Sequence, residues 1–231
     1  MPIVKRIVCL ANSRKTGERC VAGREWNGAG AGVCIRPVSA RPHEEVSEHE
    51  RQYEDGSDPR VLDIIDVPLI ALRPRTYQRE NWLLDPTRPW VRRGRAGWDD
   101  LAGLADAPAV LWRNGFRTHH GSNDRVPQGE AESLTTSLHL LHVSGLLLSV
   151  FAPGQEFDNP TRKLYGRFRH AGVDYRLRVT DPIYERAYLA KANGNYMLGE
   201  CYVTVSLGEP WEGYCYKLIA AIIERTGGVR E

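Results

Sequence analysis

The sequence predicts a β-rich α+β chain of two small β-barrels packed side by side, with short helices and a helix at the C-terminus. Three observations carry this reading. Short apolar runs rich in Ile, Val and Leu recur along the chain, separated by Gly, Pro and Asn turn signals. No βαβ rhythm and no glycine fingerprint of a nucleotide-binding α/β fold appears. The 231 residues are enough for two modest domains, and each half offers four or five candidate strands. The polar run Pro127–Ser137 marks the boundary, giving an N-terminal domain over 1–126 and a C-terminal domain over 127–231.

Ile3–Ala11 reads as a buried strand because Ile, Val, Cys and Leu fill it. Asn12–Gly17 follows as a polar, basic turn. Arg19–Trp26 and Gly32–Ser39 are the next two strands. The glycine-rich tip Asn27–Ala31 joins them and lacks the spacing of a phosphate loop, so it reads as a hairpin. Pro37 suits a strand end or an edge. Glu44–Asp58 is expected as a short helix plus loop. Val61–Leu72 has so little polar surface that both its faces are expected to be buried. Pro74, Pro86 and Pro89 bar a single helix over Arg73–Arg95. Trp98–Leu104 reads as a short helix and Pro108–Trp112 as a short strand.

Leu138–Phe151 is expected as one long strand ended by Pro153-Gly154. Lys163–Arg169 and Tyr175–Val179 flank Ala171-Gly172 and form a hairpin. Alternation turns Leu164, Gly166, Phe168, Tyr175, Leu177 and Val179 to one face and the basic residues mostly to the other. Thr180-Asp181-Pro182 starts a helix running to Ala192, with Asp181 as cap and Pro182 in the first turn. Tyr196–Leu207 is the last strand pattern. Pro210–Arg225 is expected as the C-terminal helix, with Trp211, Tyr214, Cys215, Leu218, Ile219, Ile222 and Ile223 as its apolar surface and Gly227-Gly228 as its stop.

A net charge of +2 does not by itself name a polyanionic partner, but its distribution says more. Seven acidic residues face one arginine over Glu44–Asp58. Seven arginines face Glu80 and Asp85 over Arg73–Arg95, and six basic residues face Asp174 over Arg162–Arg178. Arginine holds phosphate bidentately, so two separate basic segments favour a polyanion over solvated faces alone. The five cysteines Cys9, Cys20, Cys34, Cys201 and Cys215 form no CxxC or Cx4C pair, so neither a zinc site nor any other metal is expected. No motif implies a cofactor. Met1–Ile7 runs straight into a strand pattern without a leader. The longest apolar run, Leu138–Phe151, is interrupted by His139, His142 and Ser144. A cytoplasmic setting without membrane contact is the expectation.

Trp112–Val126 is the stretch richest in chemistry. It sets three arginines, His119, His120, two asparagines, Asp124 and two glycines between apolar segments. Adjacent histidines on an extended chain point opposite ways, so a metal would need one of them with Asp124 or a remote residue. His120 oriented by Asp124 would serve as a general base in hydrolysis or transfer. No nucleophile is signalled beside them, because Ser122 lacks an elbow frame. As a binding stretch, His119, His120, Asn123 and Asp124 would read base edges while Arg117 and Arg125 meet phosphates, with Thr118 a further ligand-binding candidate. As structure alone, Asp124 would pair with Arg117 or Arg125 and fix the loop.

Three further candidates stand outside it. Asn12, Arg14 and Lys15 form a basic turn at a strand end suited to phosphate. Arg36 lies between Ile35 and Pro37, either on an exposed face or in a groove. Lys217 would reach out to solvent from the C-terminal helix, or else meet a carboxylate or phosphate. Tyr165, Phe168 and Tyr175 beside the basic hairpin would suit a stacking surface, although alternation argues that Phe168 is buried.

Several of these segments together resemble one family. Cys9–Lys15 with Gly17, Arg19–Gly23 and Ile35–Ser39 resemble the start of bacterial dual-OB-domain proteins. Thr118–Val126, Thr204–Trp211 and Gly213–Ile223 fit the same family, so the resemblance covers nearly the whole chain. It implies two fused OB folds and a role in nucleic-acid recognition within prokaryotic conflict or defence systems. It implies no catalytic residue. The expectation is therefore a nucleic-acid or nucleotide-binding module, a sensor in a defence system. Its ligand would lie across the central stretch, the Asn12–Lys15 turn and the Arg162–Arg178 hairpin, in a cleft between the halves. A nucleotide- or nucleic-acid-processing enzyme using His120 and Asp124 is the first alternative. An adaptor binding protein partners in a defence operon is the second.

Overall fold

The computed structural model describes residues 3–15, 17–28, 32–155, 158–225 and 229. They form two compact units, 1–105 with 135–140 and 106–134 with 141–231. The central stretch Trp112–Val126 thus lies within the second unit. No helix among the described residues is long and apolar enough to cross a membrane.

The first unit is a closed five-stranded barrel. Its strands are β1 (Ile3–Arg14), β2 (Arg19–Glu25), β3 (Cys34–Val38), β4 (Asp63–Leu72) and β5 (Asn81–Leu84). They pair in the order β1-β2-β3-β5-β4 and close through β1–β4. All neighbours are antiparallel except β3 and β5. Long β1 serves both sides: Ile7 faces Glu25 of β2 and Ile65 of β4. Inward-facing side chains of the barrel are removed from water and are mostly apolar: Ile7, Cys9, Val21, Ile35, Ile65, Val67 and Leu69 fill the core around Trp90. Between β3 and β4 lies α1 (Glu48–Arg51), begun by a capping box of Ser47 and Glu50. An added edge strand, β6 (Val91–Arg95), pairs with β4.

The second unit repeats that order. It contains β7 (Arg125–Pro127), α2 (Gln128–Ala131), β9 (Leu146–Phe151), β10 (Lys163–His170), β11 (Val173–Val179), α3 (Pro182–Leu189), β12 (Gly194–Leu198), β13 (Cys201–Trp211) and β14 (Tyr214–Glu224). β8 (Leu138–Val143) crosses the division between the units. β9, β10 and β11 are strands one to three, and β11 runs parallel to β14 as β3 does to β5. Strand four is broken at Gly199-Glu200: β12 takes the pairing with β9 and β13 the pairing with β14. The β10–β11 hairpin and the Asp181-capped helix stand where the sequence placed them, with the helix ending at Leu189.

Several expectations are corrected. Pro210–Arg225 is not a helix. β13 and β14 form a hairpin around Glu212 and Gly213, whose φ values of 50° and 79° suit a tight two-residue turn. The apolar positions 211, 214, 215, 218, 219, 222 and 223 satisfy a helical stripe. They equally satisfy a strand that alternates over Tyr214–Ile219 and is buried on both faces over Ala220–Ile223. Ile219, Ile222 and Ile223 are β-branched, and the long β13 ladder beside them decides the outcome. The Leu138–Phe151 strand is split between Val143 and Leu146, and Tyr196–Leu207 is split before Cys201. Pro108–Trp112 is irregular, and Trp112 has φ 59°. The Asn27–Ala31 tip and the Gly227-Gly228 stop lie partly or wholly outside the described residues.

Candidate functional site

Strand alternation separates the second unit into a packed face and an outward face. Leu164, Phe168, Tyr175, Leu177 and Val179 point into the core. Phe168 and Tyr175 stack on each other there, with centroids 5.6 Å apart, so of the three proposed stacking aromatics only Tyr165 faces outward. Tyr165 pairs with Arg178 of β11 and Ser149 of β9, Arg167 pairs with Arg176, and Lys163 pairs with Phe151. Directly paired residues share a face, so Phe151, Lys163, Tyr165, Arg167, Arg176 and Arg178 form one surface. The Arg176 guanidinium lies 5.0 Å from the Phe151 ring and 5.6 Å from the Tyr165 ring. Phe151 and Tyr165 are 5.3 Å apart. Burial, reinforced by Arg178, holds the Lys163 ammonium below the usual lysine range.

The central stretch extends this surface as an inserted strand. β11 and β14 pair at Arg178–Leu218 and Val179–Ile219. Beyond that point residues 122–127 lie alongside both: Ser122 bonds Arg176 backbone to backbone, and Arg125 pairs with Tyr216. Arg125 therefore shares the outward face with Tyr214, Tyr216 and Arg178, and its guanidinium sits 4.0 Å above the Tyr214 ring. His120 Nε2 donates to Pro153 O at 3.0 Å, and its ring meets Phe151 edge-on with centroids 5.4 Å apart. His119 is exposed and meets His120 edge-on at 4.6 Å. Arg117 is exposed on the same loop.

Beneath the loop is a buried polar knot. Asp124 is 5 % exposed and accepts Thr118 N at 2.8 Å and Thr118 Oγ1 at 2.5 Å. It therefore fixes the loop through Thr118, not through the arginines expected to pair with it. Gly121 is required: a Cβ there would meet Asp124 Oδ2 at 1.8 Å. Asn123, at φ 50°, bridges Gly115 N and Asp174 O. Lys217 is 1 % exposed, on a strand and pointing inward, contrary to the solvent-reaching helix position expected. Its Nζ donates to Arg113 O at 2.5 Å and Asn114 Oδ1 at 3.4 Å, and Tyr175 Oη donates to the same Asn114 Oδ1 at 3.0 Å. Burial pushes the ammonium down to about 7 even though Asp124 favours its charge. No hydrogen bond links His120 with Asp124 among the described residues, and each has its own partner.

The first-unit candidates are mostly engaged within their own unit. Asn12 Nδ2 donates to Pro59 O at 2.8 Å, and Lys15 Nζ donates to His43 O. Arg14 is exposed. Arg36 is 4 % exposed and bonds Ser137 Oγ at 2.8 Å with Glu80 at 3.4 Å, so it lies neither on an open face nor in a groove. The Arg73–Arg95 segment is largely neutralised. Arg73 and Arg75 meet Glu44 at 3.0 and 3.2 Å, Arg93 meets Asp66 at 2.6 Å, and Arg95 meets Asp63 at 3.1 Å. The second basic segment differs. Arg167 pairs with Asp174 at 3.7 Å, yet among the described residues Arg125, Lys163, Arg176 and Arg178 have no ion-pair partner.

The sequence reading assigns Trp211 and Tyr214 to the apolar surface of a helix and gives Phe151 no role in a site. The helix reading concealed that Tyr214 and Tyr216 alternate with buried neighbours. Phe151 closes a strand and carries no local signal. A family model described as a dual OB-containing domain matches residues 5–222. No curated protein and no solved structure matches.

Proposed function

Since the chain belongs to the dual OB-containing domain family, we propose that it binds nucleic acid, or a nucleotide, on the outward face of its second barrel. Barrels of this type commonly bind oligonucleotides on strands two and three, between the loops joining strands one to two and four to five. In the second unit these are β10 and β11, the described residues 152–155 and 158–162, and the Glu212-Gly213 turn. Fold alone does not assign function.

The observation that carries the reading is a set of cations without carboxylate partners, held against aromatic rings. Arg176 lies over Phe151 and Tyr165, Arg125 lies over Tyr214, and on the same face Arg178 pairs with Tyr165 and Lys163 with Phe151. Phosphate oxygens would take the place of the absent carboxylates. Bases would stack on the rings and on the guanidinium planes. His120 borders the same face through Phe151, with His119 against it.

The test is filter binding of a labelled oligonucleotide at about 50 mM and about 200 mM salt. Retention at low salt with a steep fall is expected. Replacing Arg125, Arg176 and Arg178 together by Ala should reduce the slope of log affinity against log salt by about three. Absence of retention at low salt would sink the proposal. We further propose that this recognition serves a cytoplasmic prokaryotic conflict system, a reading that the family resemblance supports. The triple variant should then lose any protection against phage that the intact protein confers on its host.

A further inference from the structure

We infer that this face takes a single strand of several nucleotides and not a duplex, gripping its bases at two separate stacking stations, the second centred on Trp211. The inference rests on the proposed function and specifies its ligand. The first station is the Phe151–Tyr165 pair on β9 and β10, covered by Arg176 and edged by His120. The second lies at the tip of the β13–β14 hairpin. Trp211 and Tyr214 are directly paired across that hairpin and so share a face. Tyr214 carries Arg125 on its ring, 4.0 Å from the centroid, with Phe116 beside it at 6.3 Å.

Trp211 is 68 % exposed. A lone exposed apolar side chain is ordinary on a surface. This one is held on a rigid two-residue turn, at the end of a row of cations without ion-pair partners, on the face that carries the other rings. The sheet sets the distance between the stations. From β10 through β11 and the 122–127 segment to β14 are three strand spacings, about 14 Å. Tyr165 is level with Arg178 and Arg178 with Leu218, so Tyr214 is also displaced along β14 by about 13 Å. The stations are thus about 19 Å apart, which spans about five or six stacked nucleotides at a rise near 3.4 Å. Arg178 and Arg125 stand along this path, where the intervening phosphates would lie. In a duplex the base faces are already stacked on one another, so two stations of exposed rings favour unpaired bases.

The full chain is titrated with oligothymidylates of two to about twelve nucleotides and with a blunt duplex of about twelve base pairs, by filter binding and tryptophan fluorescence. Affinity should rise with length and level off beyond about five or six nucleotides. The duplex should bind at least tenfold more weakly. Single strands should quench a fluorescence component that is absent from Trp211→Phe. Trp211→Ala should lose about 5- to 100-fold in single-strand affinity, Trp211→Phe should lose less, and both should keep the wild-type thermal midpoint. Equal binding of duplex and single strand, or full affinity in Trp211→Ala, overturns the inference and leaves the nucleic-acid reading standing. Failure to retain either ligand overturns both.

Discussion

Replacing Lys217 by Met measures what it costs to bury an ammonium beneath the central loop. Lys217 is 1 % exposed, its Nζ donates to Arg113 O and Asn114 Oδ1, and the Tyr175 ring stands 5.3 Å away. Two acceptors and the charge of Asp124 do not replace hydration, so the ammonium titrates near about 7 in the folded chain against 10.5 ordinarily. Between those values the unfolded chain holds the proton and the folded chain does not. Stability therefore rises with pH across that window and is flat below it, where both states are protonated. Each pH unit inside the window is worth up to about 1.4 kcal/mol, so moving from about pH 7 to about pH 9 should add about 2 kcal/mol. Methionine fills a similar volume and does not titrate. It leaves the Arg113 carbonyl without its donor, costing about 1–3 kcal/mol, and removes the desolvated charge, which offsets that loss. Urea unfolding of both proteins over this range gives the comparison. The wild type should gain on the variant by about 2 kcal/mol from the lower to the higher pH. Taking the difference cancels the titration of the free cysteines. Parallel profiles would refute the reasoning, because they would mean that Lys217 keeps its proton or its water in the folded state.

Three other perturbations have definite outcomes. Arg36→Met should strand the buried Glu80 carboxylate and cost about 3–5 kcal/mol in unfolding free energy; adding Glu80→Leu should recover much of it, and oligonucleotide affinity of the folded protein should not change. Gly121→Ala should drive Asp124 from its Thr118 bonds, opening residues 113–125 to limited proteolysis and weakening oligonucleotide binding about tenfold; an unchanged digestion pattern would contradict this. Asp181→Ala removes acceptors for Ile183 N and Tyr184 N at the start of α3 and for Ile222 N of β14. It should lower stability by about 2–4 kcal/mol in chemical denaturation, with Asp181→Asn closer to wild type.

The strand pattern was legible where one face is packed and the other is wet. The β10–β11 hairpin alternates cleanly, so its boundaries, its turn and its basic face follow from period two. The α3 start follows from Asp181-Pro182. β14 was not legible in this way, because its apolar positions fit a helical stripe and a doubly buried strand alike. The choice between them is made by β13, β11 and β7, whose ladders supply hydrogen-bond partners that a helix would have found within itself.

The same limit governs the candidate site. Composition shows two basic segments, and nothing local distinguishes them. Only the fold brings Glu44 to Arg73 and Arg75, and Asp63 and Asp66 to Arg95 and Arg93, while leaving Arg125 and Arg176 against rings instead of carboxylates and Arg178 beside them without an ion-pair partner among the described residues. A β-rich chain, its inward and outward faces where alternation is strict, and the polar weight of residues 112–126 all follow from residue order alone. The tertiary structure decided which charges are neutralised, that Asp124 and Lys217 lie inside while Arg125 lies outside, and that Trp211 joins the same surface. Period two is a property of consecutive residues, whereas charge compensation depends on which distant strands become neighbours.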